Sequence, residues 1–164
     1  MSELPLAYHI TFGTYGTRLH GDPKGTVDRA HNRPGDPILG QNDAWMCEEQ
    51  SRMRFSAMFL TDEQRRFIEH VFTSLCVECQ WQYHVVAVAP DHVHALLTTR
   101  FEAKAVRKLL KRRLSQTLSE RWPLAAGQVW WASGGSIKWI WNESYLSNVH
   151  HYIERQRCTQ PDEL

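Results

Sequence analysis

Apolar and polar positions alternate along this chain with two different periods, and the periods predict its elements. Leu6 to Phe12 (LAYHITF) is dense in aromatic and β-branched residues and predicts a first strand. From Gly13 to about Arg52 the pattern collapses. Six of the nine glycines and three of the seven prolines lie between Gly13 and Gly40. A connection of that length without periodicity is expected to be functional, inserted or partly mobile. Arg54 to Phe59 predicts a short strand or an extended segment.

Thr61 and Gln64 form a capping-box pattern at the start of a helix. Phe67/Ile68, Val71/Phe72, Leu75/Cys76 and Cys79 then recur at helical spacing. Gln82 to Ala89 predicts a buried strand, Pro90-Asp91 a turn, and His92 to Thr98 the returning strand of a hairpin. Thr99 and Glu102 suggest a second capping box, with a helix running to about Arg121 because Pro123 disfavours helix at Trp122. Ser136 to Trp141 predicts a last strand. Ser144 to about Arg157 predicts a last helix, with Tyr145, Val149, Tyr152/Ile153 and Gln156 along one side. Strand, long connection, helix, strand, strand, helix, strand, helix is the order of an α+β protein. It predicts a ferredoxin-like, split βαβ antiparallel sheet with helices on one face and an extra C-terminal helix. The whole chain, 1–164, is expected to be one domain with an irregular insertion at about 13–53.

Composition narrows the class. Hydrophobic residues make up 42% of the chain, enough for a core and against disorder. No apolar run approaches the ~20 residues of a membrane span. Met1-Ser2-Glu3-Leu4-Pro5 lacks a basic region followed by an apolar stretch, so no signal peptide is expected. A cytoplasm with reduced thiols is the expected setting for the four cysteines. Net charge is only +1, but the average hides an asymmetry. Between Arg100 and Trp122 eight basic residues face two acidic ones, a local charge of +6. With Val106 at zero, Lys104, Lys108, Lys111 and Arg112 cluster between roughly 140° and 240° around the helix, opposite Leu110. A basic stripe on a nearly neutral protein points to a polyanion bound at one face; a solvated helix face is the plainer reading.

Two constellations carry candidate chemistry. In His92-Val93-His94, strand alternation turns both imidazoles to one face, starting ~6.6 Å apart, close enough to converge on one divalent ion. Such a pair also arises as ordinary half-buried histidines. A His-x-His-x-Asp metallo-hydrolase would need an acid at position 96, where Leu96 stands. Tyr152 and Gln156 are four apart on a predicted helix and share a face. A tyrosine hydroxyl can be a phosphoryl-transfer nucleophile, and a glutamine amide oxygen can complete a two-histidine metal site. Helix packing is the competing reading.

Taken in order, His92-Val93-His94 on a strand, a basic helix next, and Tyr152-Ile153-Glu154-Arg155-Gln156 on a final helix resemble the HUH single-tyrosine transposases. These are the insertion-sequence-200 type, which includes the REP-associated tyrosine transposases. The resemblance runs from Tyr8-His9-Ile10-Thr11-Phe12 through Trp130-Trp131 to Gln156, leaving out the segment of roughly Gly13 to Met53. It implies that Tyr152 attacks a DNA phosphate to leave a 5′-phosphotyrosine. It implies that His92, His94 and Gln156 bind a divalent metal, for which Mg²⁺ or Mn²⁺ suits the donors. It also implies single-stranded or hairpin DNA as substrate, a homodimer, and a prokaryotic cytoplasm. A hairpin-binding regulator without turnover and a replication or conjugation nickase are the alternatives. The fuller nickases commonly carry a third histidine and extra domains.

Other residues carry competing readings. Cys76-Val77-Glu78-Cys79 is a CxxC on the apolar side of a helix, where packing is favoured over zinc or redox chemistry. Tyr145 rivals Tyr152 as nucleophile, but Val149 stands where its paired ligand would be. Trp130, Trp131, Trp139 and Trp141 suggest base stacking or core packing in equal measure. His150, His151 and Glu154 flank Tyr152 as possible proton acceptors or as exposed helix residues.

Overall fold

The structure, a computed structural model, describes residues 3–17, 44, 47 and 51–158. Its elements are β1 (Ala7–Gly13), α1 (Asp62–Glu78), β2 (Gln82–Val88), β3 (His92–Thr98), α2 (Ala103–Arg121), β4 (Ser136–Ile140) and α3 (Glu143–Glu154). The sheet order is β2-β3-β1-β4, with every neighbouring pair antiparallel. β3 inserts between β1 and β2, which run the same way, as the ferredoxin-like order requires. Most of the insertion expected at about 13–53 lies outside the described residues. Among those described, no helix is long and apolar enough to cross a membrane.

Paired residues share a face, and side chains alternate along each strand. The even positions of β1 (Tyr8, Ile10, Phe12) join Val93, Ala95 and Leu97 of β3 beneath α1 and α2. Ile68, Phe72 and Leu75 of α1 and Val106, Leu110, Leu114 and Leu118 of α2 close this larger core. Each buried leucine contributes roughly 2 kcal/mol of transfer free energy. The opposite face holds a smaller core, in which Ala7, Val85, Ala87, Leu96 and Ile140 meet Val149 and Ile153 of α3. That apolar patch lies mainly on the half of the face where β3 ends, with Ala87 reaching beside His94. His92 and His94 occupy the half where β3 begins.

The capping box at Thr61 forms as expected. The Thr61 hydroxyl accepts from Gln64 N at 3.2 Å, and Gln64 Oε1 accepts from Thr61 N at 2.9 Å. The second capping box does not form. α2 starts at Ala103 behind Glu102, whose side chain makes no capping bond. The Thr99 hydroxyl instead accepts from Phe101 N at 3.2 Å, a local turn that competes with helix. Residues 54–59 do not form a strand: Arg54 and Phe55 make a bend, and the segment after them is tied down by Met58 N donating to Tyr15 O and Leu60 N to Pro90 O. α3 is capped by Asn142, whose side chain accepts from Tyr145 N at 2.8 Å. It stops at Glu154, so Gln156 lies in the turn beyond the helix and not on it.

Candidate active site

The β2–β3 turn fixes the first histidine. The Asp91 carbonyl accepts from Thr14 N at 2.9 Å and from the Thr14 hydroxyl at 3.2 Å, while Ala89 N donates to His92 O across the hairpin. Asp91 is buried, and its Oδ1 lies 2.6 Å from His92 Nδ1. In the neutral tautomer that donates Nδ1–H to this carboxylate, the His92 Nε2 lone pair faces the site. That Nε2 is 3.0 Å from Nε2 of His94, which is itself buried.

β1 supplies the rest of the wall. Thr11 pairs directly with His94, and Gly13 sits opposite His92, putting no side chain in its way. Thr11 Oγ1 and His9 Nε2 each lie 3.0 Å from His94 Nδ1, and 3.2 Å from one another. Burial, and secondarily the charge of Lys138, pulls the His9 pKa down to about 4, so this ring is neutral at neutral pH. Lys138 is its cross-strand partner on β4, exposed on the same face of the sheet.

Tyr152 closes the site from α3. Its ring meets that of His94 edge-on, with centroids 5.8 Å apart and planes at 79°. Because 48% of Tyr152 remains exposed, its phenol is open to a substrate. Both residues belong to one chain. Gln156 is half-buried, and its amide nitrogen donates to the Tyr152 carbonyl at 3.3 Å. The structure thus brings His92, His94 and Tyr152 together, with Gln156 turned back against its own helix end.

The donor set fits a divalent metal. Two ligand atoms ~2.1 Å from one ion and at right angles to each other lie ~3.0 Å apart. The two Nε2 atoms have that separation. A second possible cluster on α3, His150, His151 and Glu154, has ligand atoms within 4.8 Å of one another, with His150 half-buried and the other two exposed. His150 and Glu154 sit about 160° to 200° around the helix from Tyr152, away from its ring.

The basic stripe divides. Lys104, Lys108 and Arg112 are exposed on α2, which packs on the sheet face opposite the imidazoles. Lys111 is not part of a free stripe. Its ammonium donates to Ala132 O at 2.6 Å and Gly134 O at 3.0 Å, and burial lowers its pKa. The buried arc of α2 is Ala103, Val106, Leu110, Leu114 and Leu118, centred about 60° past Val106. Lys111 therefore borders the core, where loop carbonyls capture it. Beside it, Arg107 donates to Gly135 O at 2.9 Å.

Sequence reasoning missed His9, Thr11, Asp91 and Lys138 as parts of this site. His9-x-Thr11 has the same two-residue period as His92-x-His94, and Asp91 directly precedes the pair. Only strand pairing shows that these segments meet. The tryptophans also divide. Trp130 and Trp131 are buried, with their indoles donating to the Ser119 hydroxyl and Lys111 O, while Trp139 and Trp141 stay 43% and 54% exposed on β4 and just beyond it.

Residues 52–156 match a family model described as IS200-like transposase. No curated protein matches the chain. Among solved structures, a proposed transposase from Deinococcus radiodurans R1 is similar, with a TM-score of 0.54 and 16% identity. The likeness covers 96% of this chain and 95% of that one, and at this identity it speaks for the fold. The family match takes in well over half of the residues, from before α1 to beyond α3, and on that ground the chain belongs to the IS200-like transposase family.

Proposed function

We propose that this protein cleaves single-stranded DNA and rejoins strands through a 5′-phosphotyrosine on Tyr152, with Mg²⁺ or Mn²⁺ held by His92 and His94. The observation that carries this reading is the pair of Nε2 atoms 3.0 Å apart, with the Tyr152 ring of the same chain edge-on to His94. The IS200-like family is generally metal-dependent, in keeping with that donor set. A hairpin-bearing strand is the proposed substrate, a homodimer the proposed assembly, and a prokaryotic cytoplasm the proposed setting.

The bound metal would neutralise charge on the scissile phosphate and hold it in line. Tyr152 Oη forms the new bond to phosphorus, and the bond to the 3′-oxygen breaks. The phenolic proton passes to water at the exposed side of the ring, and the departing 3′-oxygen is protonated. The phosphodiester becomes a phosphotyrosyl ester of similar energy, so a free 3′-hydroxyl can reverse the step without ATP. Gln156 would be the third ligand of that metal, through its amide oxygen, once its amide nitrogen leaves the Tyr152 carbonyl.

The test is an SDS-resistant protein–DNA adduct on a hairpin oligonucleotide with Mg²⁺. Wild type should form it. Tyr152→Phe should bind DNA without forming it, and Tyr145→Phe should behave as wild type. An adduct that survives in Tyr152→Phe and is lost in Tyr145→Phe would reverse the assignment. Hairpin binding by wild type with no adduct would favour the regulator. Excess EDTA should abolish the adduct, as should His92→Ala or His94→Ala.

A further inference from the structure

We propose that Asp91, His9 and Thr11 are positioning residues that hold the two imidazoles ready for a metal ion, each side gripping an Nδ1–H so that both Nε2 lone pairs face one point. The inference rests on the metal-site reading of His92 and His94 and extends it to the residues behind them.

An imidazole gives a metal the lone pair of one ring nitrogen while the other nitrogen carries the proton. The partner of that proton selects the tautomer and fixes the ring. Behind His92 the partner is the Asp91 carboxylate, 2.6 Å from Nδ1. Asp91 is held from two sides. Its backbone carbonyl is pinned by Thr14, and the hairpin closes around it through Ala89 N and His92 O. Behind His94 stand two hydrogen-bond partners, Thr11 Oγ1 and His9 Nε2, both 3.0 Å from Nδ1, and His9 in its Nδ1–H tautomer accepts as the hydroxyl does. Strand register puts them there: Thr11 lies directly across from His94, and His9 is the next residue of β1 on that face. His9 is 6% exposed and His94 7%, so neither can exchange its partner freely for water.

This arrangement has a consequence at the front of the rings. The two Nε2 atoms stand 3.0 Å apart, the separation of two ligands at right angles on one ion. A cation replaces whatever proton the two nitrogens share, and the Nδ1 partners keep both rings in place for it. The three residues behind the pair therefore raise metal affinity without touching the metal. Outer partners of this kind are typically worth ~10–100-fold in affinity.

The experiment titrates the metal-free full-length protein with Mn²⁺, reading free Mn²⁺ by electron paramagnetic resonance. The visible spectrum of bound Co²⁺ serves as a second readout. Asp91→Ala and the double variant His9→Phe/Thr11→Val should each weaken Mn²⁺ binding about 10–100-fold and alter the Co²⁺ spectrum, with the metal-free melting temperature close to wild type. His9→Gln, which puts an acceptor near the position of Nε2, should recover most of what the His9→Phe change removes. If the His9 variants do not fold, the near-isosteric Asp91→Asn and Thr11→Val carry the test, each with a smaller loss. Unchanged binding in folded variants of a wild type that binds Mn²⁺ would overturn this proposal and leave the metal site standing. A wild type that forms the DNA adduct in EDTA and binds no Mn²⁺ would overturn both.

Discussion

Gln80 takes a φ of 56°, in the left-handed region, where α1 turns into β2. Gln80 N donates to Val77 O and Trp81 N to Cys76 O, the paired bonds that close a helix with its first non-helical residue left-handed. Glycine is the residue that position favours, because a Cβ there costs roughly 1 kcal/mol. Gln80→Gly should therefore raise stability by about 0.5–1 kcal/mol, less whatever the looser unfolded chain takes back. Chemical denaturation checks this, and a loss of stability would mean that the Gln80 side chain makes a compensating contact. The neighbouring CxxC is resolved at the same scale. Cys76 is buried against the α1 core, and burial, then Cys79, pushes its thiol up to about 12. The thiolate becomes the major form only above that value, so Cys76 is overwhelmingly protonated at pH 8. In the folded protein iodoacetamide should leave it unlabelled, and after denaturation label it fully, as read by mass spectrometry. Fast labelling of native Cys76 would restore a redox or metal role to the motif.

At the scale of elements, α2 is a helix with two jobs divided by angle. Its buried arc of Val106, Leu110, Leu114 and Leu118 closes the larger core, while Lys104, Lys108 and Arg112 are exposed on the outside, free of ion pairs among the described residues. Lys111 and Arg107 grip the loop from Ala132 to Gly135 that leads into β4. Contacts between the free residues and a phosphate backbone would be independent of sequence. Replacing Lys104, Lys108 and Arg112 by Gln should weaken hairpin binding across sequences. It should flatten the log–log salt dependence by about two units, at roughly 0.7 per phosphate contact on a single strand. Lys111→Gln should act differently, lowering thermal stability by freeing the loop carbonyls and leaving the slope nearly unchanged. Equal slopes for wild type and the triple variant would return the stripe to a solvated face.

For the whole molecule, the decisive feature is which face each part occupies. α1 and α2 cover one side of the sheet, while α3 and the imidazoles share the other. A DNA strand that touches both the α2 stripe and Tyr152 must pass around an edge of the sheet. β4 forms one such edge, and it carries Lys138 on the histidine side and exposed Trp139 on the other. Tyr152 lies against His94 of its own chain, so one chain contains the paired imidazoles and the proposed nucleophile together. Mixing inactive His94→Ala protein with inactive Tyr152→Phe protein should therefore leave adduct formation at background. Recovery of a large fraction of wild-type activity in the mixture would mean that the tyrosine serves a partner chain instead.

The periodicity of local sequence determined the elements, because side-chain alternation on strands and the helical repeat are properties of neighbouring residues. It marked His92, His94 and Tyr152 as candidates for the same reason, each standing in a short pattern whose geometry the backbone dictates, and the fold brings the three side chains together. It failed where a helix end or a hydrogen-bond choice turned on the surroundings. Thr99 bonds to Phe101 N in place of capping α2, α3 stops before Gln156, and Lys111 is drawn to carbonyls from a distant loop. Only the tertiary structure decided that His9 and Thr11 would stand behind His94, since 85 and 83 residues separate them in the chain. Strand register, a long-range pairing selected by two cores at once, joined them.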